Sequence, residues 1–177
     1  MEFSLRVAKD EDCLEVTDLV KEAFNSPNRD QKDNEWDLIN KIRRDKGFVE
    51  ELSLIAHNDE EILGHILFSK ANIGDSIGLA LGPIAVKPEY QGIGIGKSLI
   101  NYGIEKSKEM GYKWIAVLGG DYYYQFGYED AMDYGIMISD SHPGNEYLKI
   151  ILLRKEAYPK GKIIYCDSFY NENGELL

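Results

Sequence analysis

The chain has 177 residues, which is enough for one domain with a single sizeable core, and no apolar run approaches membrane-spanning length. Its net charge of −11, from 20 Lys and Arg against 31 Asp and Glu, argues against sequence-independent nucleic-acid binding, which needs a basic surface. An acidic surface suits a cationic partner such as an amine, although solubility is the simpler explanation. The N-terminus, MEFSLRVAKDED, is not a signal peptide, so we expect a cytoplasmic protein.

Cysteine and histidine spacing gives no sign of a metal or a disulfide. Cys13 and Cys166 are far apart and outside any C-x-x-C pattern, so we expect free thiols. His57, His65 and His142 have no metal-ligand spacing among themselves or with the cysteines. No metal site is therefore predicted.

The spacing of apolar residues in the first third of the chain predicts one strand, two helices and a β-hairpin. Apolar residues from Leu14 to Phe24 recur near helical spacing behind acidic residues that suit a helix start. The turn NDEE separates two apolar runs, as in a β-hairpin. The predicted elements are a strand over 3–8, a helix over 10–24, a helix from Trp36 to near Gly47, and strands over 52–57 and 62–69.

The next apolar run, 77–88, is typical of a buried central strand. Gly82 and Pro83 interrupt it, and a proline cannot donate a ladder hydrogen bond. This strand is therefore either an edge or broken at a bulge. Beyond it we predict an amphipathic helix ending at Gly111, a buried strand over 114–120, a short helical turn over 121–128, and closing strands over 147–153 and 162–169.

The stretch from Gln91 to Ser98, QGIGIGKS, looks like a loop that holds a phosphate. It ends like the ATP/GTP loop G-x-x-x-x-G-K-[ST], but Gln91 stands where the first glycine belongs. The dinucleotide fingerprint G-x-G-x-x-G fails because these glycines are spaced by two throughout. Glycines at a helix start still uncover N–H groups for an anion, whereas glycine clusters alone can form turns that bind nothing.

The order strand, VKPEYQGIGIGKSLI, helix, strand and YYYQFGY resembles the GCN5-related N-acetyltransferase (GNAT) family from Leu5 to Phe169. Gln91, Gly94 and Gly96 match its diagnostic loop [QR]-x-x-G-x-[GA], and the chain looks closest to an uncharacterised bacterial branch of predicted N-acetyltransferases. The resemblance implies an α/β fold (an α+β mixed sheet) with splayed central strands, in a single N-acetyltransferase domain over 1–177. It also implies acetyl-CoA as cosubstrate and no metal.

In this family the diphosphate of CoA lies on the glycine loop and the pantetheine arm inserts between the splayed strands. Gly82 and Pro83 then mark the bulge where a disrupted ladder leaves N–H and C=O groups for the arm's amides. The alternative is a sharp corner in an edge strand. The resemblance implies that the cofactor contacts Ile84, Ala85 and Val86 on the strand, and Gln91, Gly92, Ile93, Gly94, Ile95, Gly96 and Lys97 on the loop.

The family's reaction is direct attack of a substrate amine on the acetyl thioester, with a strand N–H near Ile84 as the matching donor to the oxyanion. A family tyrosine four residues before the GF/GY pair protonates the leaving thiolate, and this position is Tyr123. Tyr122 and Tyr124 stay open as alternatives, and so does a packing role for all three. Asp121 is expected to cap the short helix that carries them.

No general base is predicted from the sequence. Some family members carry a glutamate on the central strand, but residues 77–86 here are all apolar, glycine or proline. A water relay to His65, Asp121 or Glu35 stays open, and His65 inside an apolar strand is also typical of a hydrogen-bonded core residue.

Three functional hypotheses remain. The first is a CoA-dependent N-acetyltransferase, the second is a non-catalytic acyl-CoA-binding or sensing module on the same fold, and the third, a P-loop nucleotide enzyme, is disfavoured by Gln91. The acceptor is an unidentified small-molecule or peptide amine, with specificity expected from 25–47 and 139–147. Neither nucleic acid nor membrane is expected as a partner, and a homodimer is left open.

Overall fold

The structure, a computed structural model, describes residues 1–25, 35–154 and 158–177. Its helices in these ranges are α1 (Cys13–Phe24), α2 (Glu35–Ile42) and α3 (Ile95–Glu109). The strands are β1 (Ser4–Val7), β2 (Phe48–His57), β3 (Ile62–Ile73), β4 (Ser76–Val86), β5 (Trp114–Leu118), β6 (Glu129–Asp130), β7 (Ile136–Met137), β8 (Leu148–Leu152) and β9 (Gly161–Tyr165). None of the helices in the described part of the chain is long and apolar enough to cross a membrane.

The strands form one mixed sheet with the order β1-β2-β3-β4-β5-β8-β6. The β4–β5 pair is parallel, whereas the other neighbours along this path are antiparallel. The end of β3 extends beyond β2 and pairs there with β9. Strand β9 in turn pairs with β7. The expected α/β fold with a mixed sheet is confirmed.

Helix α3 covers one face of the sheet, where Leu99, Ile100 and Ile104 are buried as their spacing predicts. The helix approaches the sheet closely at Gly103, as a Cβ built on this residue would lie only 2.2 Å from the ring of Phe68. A larger residue would push the helix away, so this glycine sets the distance between α3 and β3.

Helices α1 and α2 cover the opposite face. Val16, Leu19 and Val20 are buried there, but Leu14 is 82% exposed and does not belong to the core, contrary to the periodicity. Just before α1, Asp12 accepts two hydrogen bonds from Arg6, of 2.7 and 3.0 Å, which tie the start of the helix to β1.

Several predicted boundaries shift in the structure. The first helix begins at Cys13, after a short 3₁₀ turn, and α2 ends at Ile42 instead of near Gly47. The two-residue strands β6 and β7 were not predicted, since two residues carry no periodic signal. Residues 26–34, part of the predicted specificity segment 25–47, lie outside the described residues.

Candidate functional site

The central strands β4 and β5 separate after two registered pairs, Leu79 with Ile115 and Ala80 with Ala116. Strand β4 nevertheless stays paired with β3 as far as Val86. A gap therefore opens between β4 and β5 towards their carboxyl ends. This confirms the splayed central strands that the sequence predicted.

A bulge on β4 lies where the gap opens. Two residues, Gly82 and Pro83, stand opposite the single residue Leu67, because the register changes between the pairs Ile66–Ile84 and Phe68–Leu81. Gly82 has φ 133°, a conformation that favours glycine, and the Gly82–Pro83 peptide is cis. Of the two alternatives in the sequence, β4 is a central strand broken at a bulge.

Beyond the bulge, the antiparallel ladder determines which backbone groups face the gap. The Lys87 amide donates to the Leu63 carbonyl at 3.0 Å, so the alternation of hydrogen-bonded pairs places Ala85 opposite His65 in a bonded pair. The N–H and C=O groups of Ala85 are thus directed to β3. The N–H and C=O groups of Ile84 and Val86 are directed into the gap. Of the three strand residues predicted to contact the cofactor, these two can therefore form backbone hydrogen bonds to a ligand there.

The glycine loop leads directly into α3. Gly92 and Gly94 have φ of 80° and 98°, a region where a side chain causes strain, and Gly94 is the N-cap of the helix. The first helical hydrogen bond runs from the Ser98 amide to the Gly94 carbonyl, at 3.0 Å. The amides of 95–97 have no partner within the helix, as at any helix start, and no side chain caps them.

The charge at this helix start favours an anion. Helix N-termini attract negative groups, yet the first turn of α3 contains no acidic residue and carries Lys97. An anionic ligand would satisfy both the amides and the lysine. This arrangement is the one that a phosphate loop needs, and phosphate binding at these residues stays a prediction.

A cavity of about 320 Å³ lies against this loop. Tyr122 also lines this cavity, whereas Ile93 is 54% exposed and does not line it. The lining residues are Val86, Tyr90, Gln91, Gly92, Gly94, Ile95, Gly96, Lys97 and Tyr122.

Hydrogen bonds hold the entrance to the loop in place. The Gln91 side-chain amide donates to the Val86 carbonyl at 3.0 Å, which ties the loop to the end of β4. Tyr90 donates to Glu61 at 2.6 Å, and Lys87 pairs with the same carboxylate. These bonds raise the pKa of Tyr90 to about 12 and hold the pKa of Glu61 below its usual range. The network spans 29 residues of sequence, and no local pattern could have revealed it.

The three tyrosines of the 3₁₀ turn Asp121–Phe126 have different environments. Tyr123 packs on Gly119, where a Cβ would lie 2.3 Å from the ring, and against Tyr128, with ring centroids 5.7 Å apart. Tyr122 faces the cavity, and Tyr124 donates to Asp130 at 2.7 Å on the surface. Burial raises the pKa of Tyr123 to about 12, so its hydroxyl stays protonated. The turn begins after the N-cap Gly120, so the expectation that Asp121 caps it is wrong.

His65 is a poor candidate for the general base. It is fully buried on the α1 and α2 side of β3, and its Nε2 lies 3.1 Å from the Ser53 hydroxyl, as expected for a core residue. Burial, and then the positive charge of Arg43, lower the pKa of His65 to about 3. Such a weak base cannot take a proton efficiently from an ammonium group with a pKa of about 10.

Metal ligands are not assembled in the part of the chain that the structure describes: no three His, Cys, Asp or Glu side chains are grouped to hold an ion. Within those same ranges Cys13 and Cys166 are free, as predicted. Burial raises the pKa of the Cys166 thiol to about 11, so this thiol stays protonated.

The model of the acetyltransferase (GNAT) family matches residues 13–128, and the chain belongs to this family. The uncharacterized N-acetyltransferase YjhQ of Escherichia coli K12 is 33% identical over 132 residues, covering 72% of this chain and 70% of YjhQ. The uncharacterized N-acetyltransferase YhbS of the same strain is 30% identical over 129 residues, 71% of this chain and 72% of YhbS. The chain is therefore an acetyltransferase by family, and the predicted resemblance is confirmed.

Solved structures have the same fold. A GNAT acetyltransferase from Brucella melitensis in complex with acetyl-CoA is 27% identical, with a TM-score of 0.78 over 95% of this chain and 98% of that one. YhbS from Escherichia coli in complex with CoA superposes with a TM-score of 0.84 over 96% of this chain and 92% of that one. The sequence identity over the residues superposed on YhbS is 24%, so this second superposition supports the fold alone.

Proposed function

We propose that the protein transfers the acetyl group of acetyl-CoA to an amine by direct attack, in a single domain over 1–177. The observation that carries this proposal is the open β4–β5 gap next to the uncapped start of α3. A ligand long enough to bridge them needs amides for the strand and an anion for the helix, and CoA has both. The complex of the Brucella relative with acetyl-CoA supports this choice.

In the proposed complex the diphosphate of CoA accepts hydrogen bonds from the amides of 95–97 and pairs with Lys97. The pantetheine amides bond to the gap-facing groups of Ile84 and Val86. Since Gln91 already donates to the Val86 carbonyl, the strand offers the Ile84 N–H and C=O and the Val86 N–H. The thioester then lies towards the bulge, where the Ile84 N–H is our candidate donor to the oxyanion.

The chemical step joins the amine nitrogen to the thioester carbon, and the C–S bond then breaks. The sulfur leaves as a thiolate and accepts a proton or a hydrogen bond from the hydroxyl of Tyr123, while the amine loses a proton to water or to a base that we do not assign. Tyr123 suits this role because its hydroxyl is protonated and its ring lies over Gly119, directly after β5. No metal takes part in this scheme.

The alternative is an acyl-CoA-binding module without turnover. Strand β4 carries no carboxylate, and the low pKa of His65 removes one of the three candidates for the base. The test is a panel of small amines and N-terminal peptides with acetyl-CoA, monitored by release of the CoA thiol. Amine-dependent thiol release supports transfer. Tight acetyl-CoA binding without release for any amine supports the binding module.

The proposed activity also indicates a cellular site. A CoA-dependent enzyme of this kind belongs in the cytoplasm, where acetyl-CoA is made, and the acidic surface makes nucleic acid an unfavourable partner. The homodimer that the sequence left open stays open, and sedimentation velocity can test it.

A further inference from the structure

Tyr122 is an aromatic side chain at the cofactor cavity that the reaction scheme does not use. Tyr122 lines the cavity together with the residues of the glycine loop, and 49% of it is exposed. A tyrosine ring left half exposed beside a cavity has apolar surface available for a ligand. Its position on the turn after β5 places it across the mouth of the gap from β4.

Two aromatic neighbours restrict the movement of the Tyr122 ring before any ligand binds. It makes edge contacts with Tyr123 and Phe126, both with ring centroids 5.4 Å apart. The Gln125 side chain also donates to the Tyr122 carbonyl at 2.8 Å, which fixes the backbone of the turn. A preorganised wall of this kind favours binding because little side-chain freedom is lost.

The position of Tyr122 along the cavity determines which part of CoA it meets. Reading from the thioester, CoA consists of cysteamine, β-alanine, a pantoyl unit with two geminal methyl groups, the diphosphate and 3′-phosphoadenosine. The amide-bearing parts belong to the gap beside Ile84, and the diphosphate belongs to the amides of 95–97. The pantoyl unit comes between these two places, and so do Val86 and Gly96, which line the cavity together with Tyr122.

We propose that Tyr122 binds the pantoyl unit of CoA, with its ring packed on the geminal methyl groups. This inference rests on the proposed function. The contact is apolar, so the ring matters and the hydroxyl does not. Tyr122 therefore contributes to affinity for the pantetheine half of the cofactor and not for the nucleotide half.

The test compares two ligands by calorimetry: CoA, and 3′-phosphoadenosine 5′-diphosphate, which is CoA without the pantetheine. Tyr122→Ala should weaken CoA binding by roughly tenfold, the scale of losing part of an aromatic contact, and leave the affinity for the nucleotide unchanged. Tyr122→Phe should recover most of the lost affinity. Tyr124→Ala is the matched control, because Tyr124 is on the same turn and 43% exposed but does not line the cavity.

The outcomes separate this inference from the proposed function. If the wild-type protein binds neither ligand, the proposed function fails and this inference with it. If it binds both, and Tyr122→Ala weakens both equally or neither, the cofactor site stands and the role of Tyr122 is refuted. Tyr122→Gln, which keeps a side chain of similar length without the ring, replaces the alanine variant if that variant does not fold.

Discussion

Replacing Tyr123 by Phe tests the proposed acid with little disturbance of the fold. The substitution removes one hydroxyl, whose pKa is raised only by burial and by the nearby Tyr122, with no contribution from a hydrogen bond. The ring keeps its contacts with Phe126 and Tyr128. We therefore expect a folded variant with nearly unchanged affinity for acetyl-CoA.

The expected loss of turnover follows from the pKa of Tyr123, about 12. A thiol has a pKa of about 8.5, so complete proton transfer from Tyr123 to the thiolate is uphill by about 5 kcal/mol. In the proposed mechanism the hydroxyl would therefore act mainly as a hydrogen-bond donor to the departing sulfur, and a bond to a charged group contributes about 1.5–3 kcal/mol. Losing it should slow turnover by about 10- to 150-fold.

The assay is single-turnover acetylation of any amine that the panel identifies, with Tyr124→Phe as control because that hydroxyl bonds to Asp130 at the surface. Tyr123→Phe should lower the rate and leave the Kd of acetyl-CoA constant, a pattern that marks an interaction made in the transition state. Full activity of Tyr123→Phe would refute the assignment. A loss of rate at pH 8–9 that disappears in Tyr123→Phe would contradict the high pKa of this phenol.

Three further predictions concern single residues. Gly119→Ala should lower turnover by displacing the Tyr123 ring, since the new Cβ would lie 2.3 Å from that ring. Gly120→Ala, whose Cβ would have nothing within 4 Å, should leave turnover unchanged, and equal rates of the two variants in a steady-state assay would refute this prediction. Gly96→Val should weaken CoA binding in calorimetry by narrowing the cavity, and unchanged affinity in a folded variant would place the cofactor elsewhere. Asp12→Asn should lower the free energy of unfolding in urea by about 2 kcal/mol at pH 7. Hydrogen bonds from its arginine partner depress the pKa of Asp12. The stability that the carboxylate contributes is therefore present above about pH 4 and is lost as pH falls through the pKa of Asp12 in the folded state. A difference in unfolding free energy between wild type and Asp12→Asn that stays constant down to pH 2 would contradict the argument.

Local features of the sequence predicted the elements that build the site. A proline and glycine inside an apolar run predicted the bulge at 82–83, and glycines before an amphipathic pattern predicted the loop and the start of α3. These predictions succeeded because each depends on backbone conformation within a few residues. Tyr123 was singled out by its position in a motif, and it stays a prediction.

The features that the sequence did not reveal depend on contacts between distant parts of the chain. Glu61 holds Tyr90 from 29 residues away, and only the fold brings them together. The direction of the backbone groups of Ala85 depends on the register with β3, which a one-residue shift would reverse. Leu14 fits the helical period but lies on the outer side of α1, because the packing face is set by the sheet.

The most direct test of cofactor binding in the gap follows backbone amides by ¹⁵N NMR as acetyl-CoA is added. The account predicts large shifts and slowed hydrogen exchange at the amides of Ile84 and Val86 and at those of 95–97. The amide of Ala85, already bonded to β3, serves as an internal control and should gain no protection. Binding of acetyl-CoA that leaves 84, 86 and 95–97 unchanged would contradict the account.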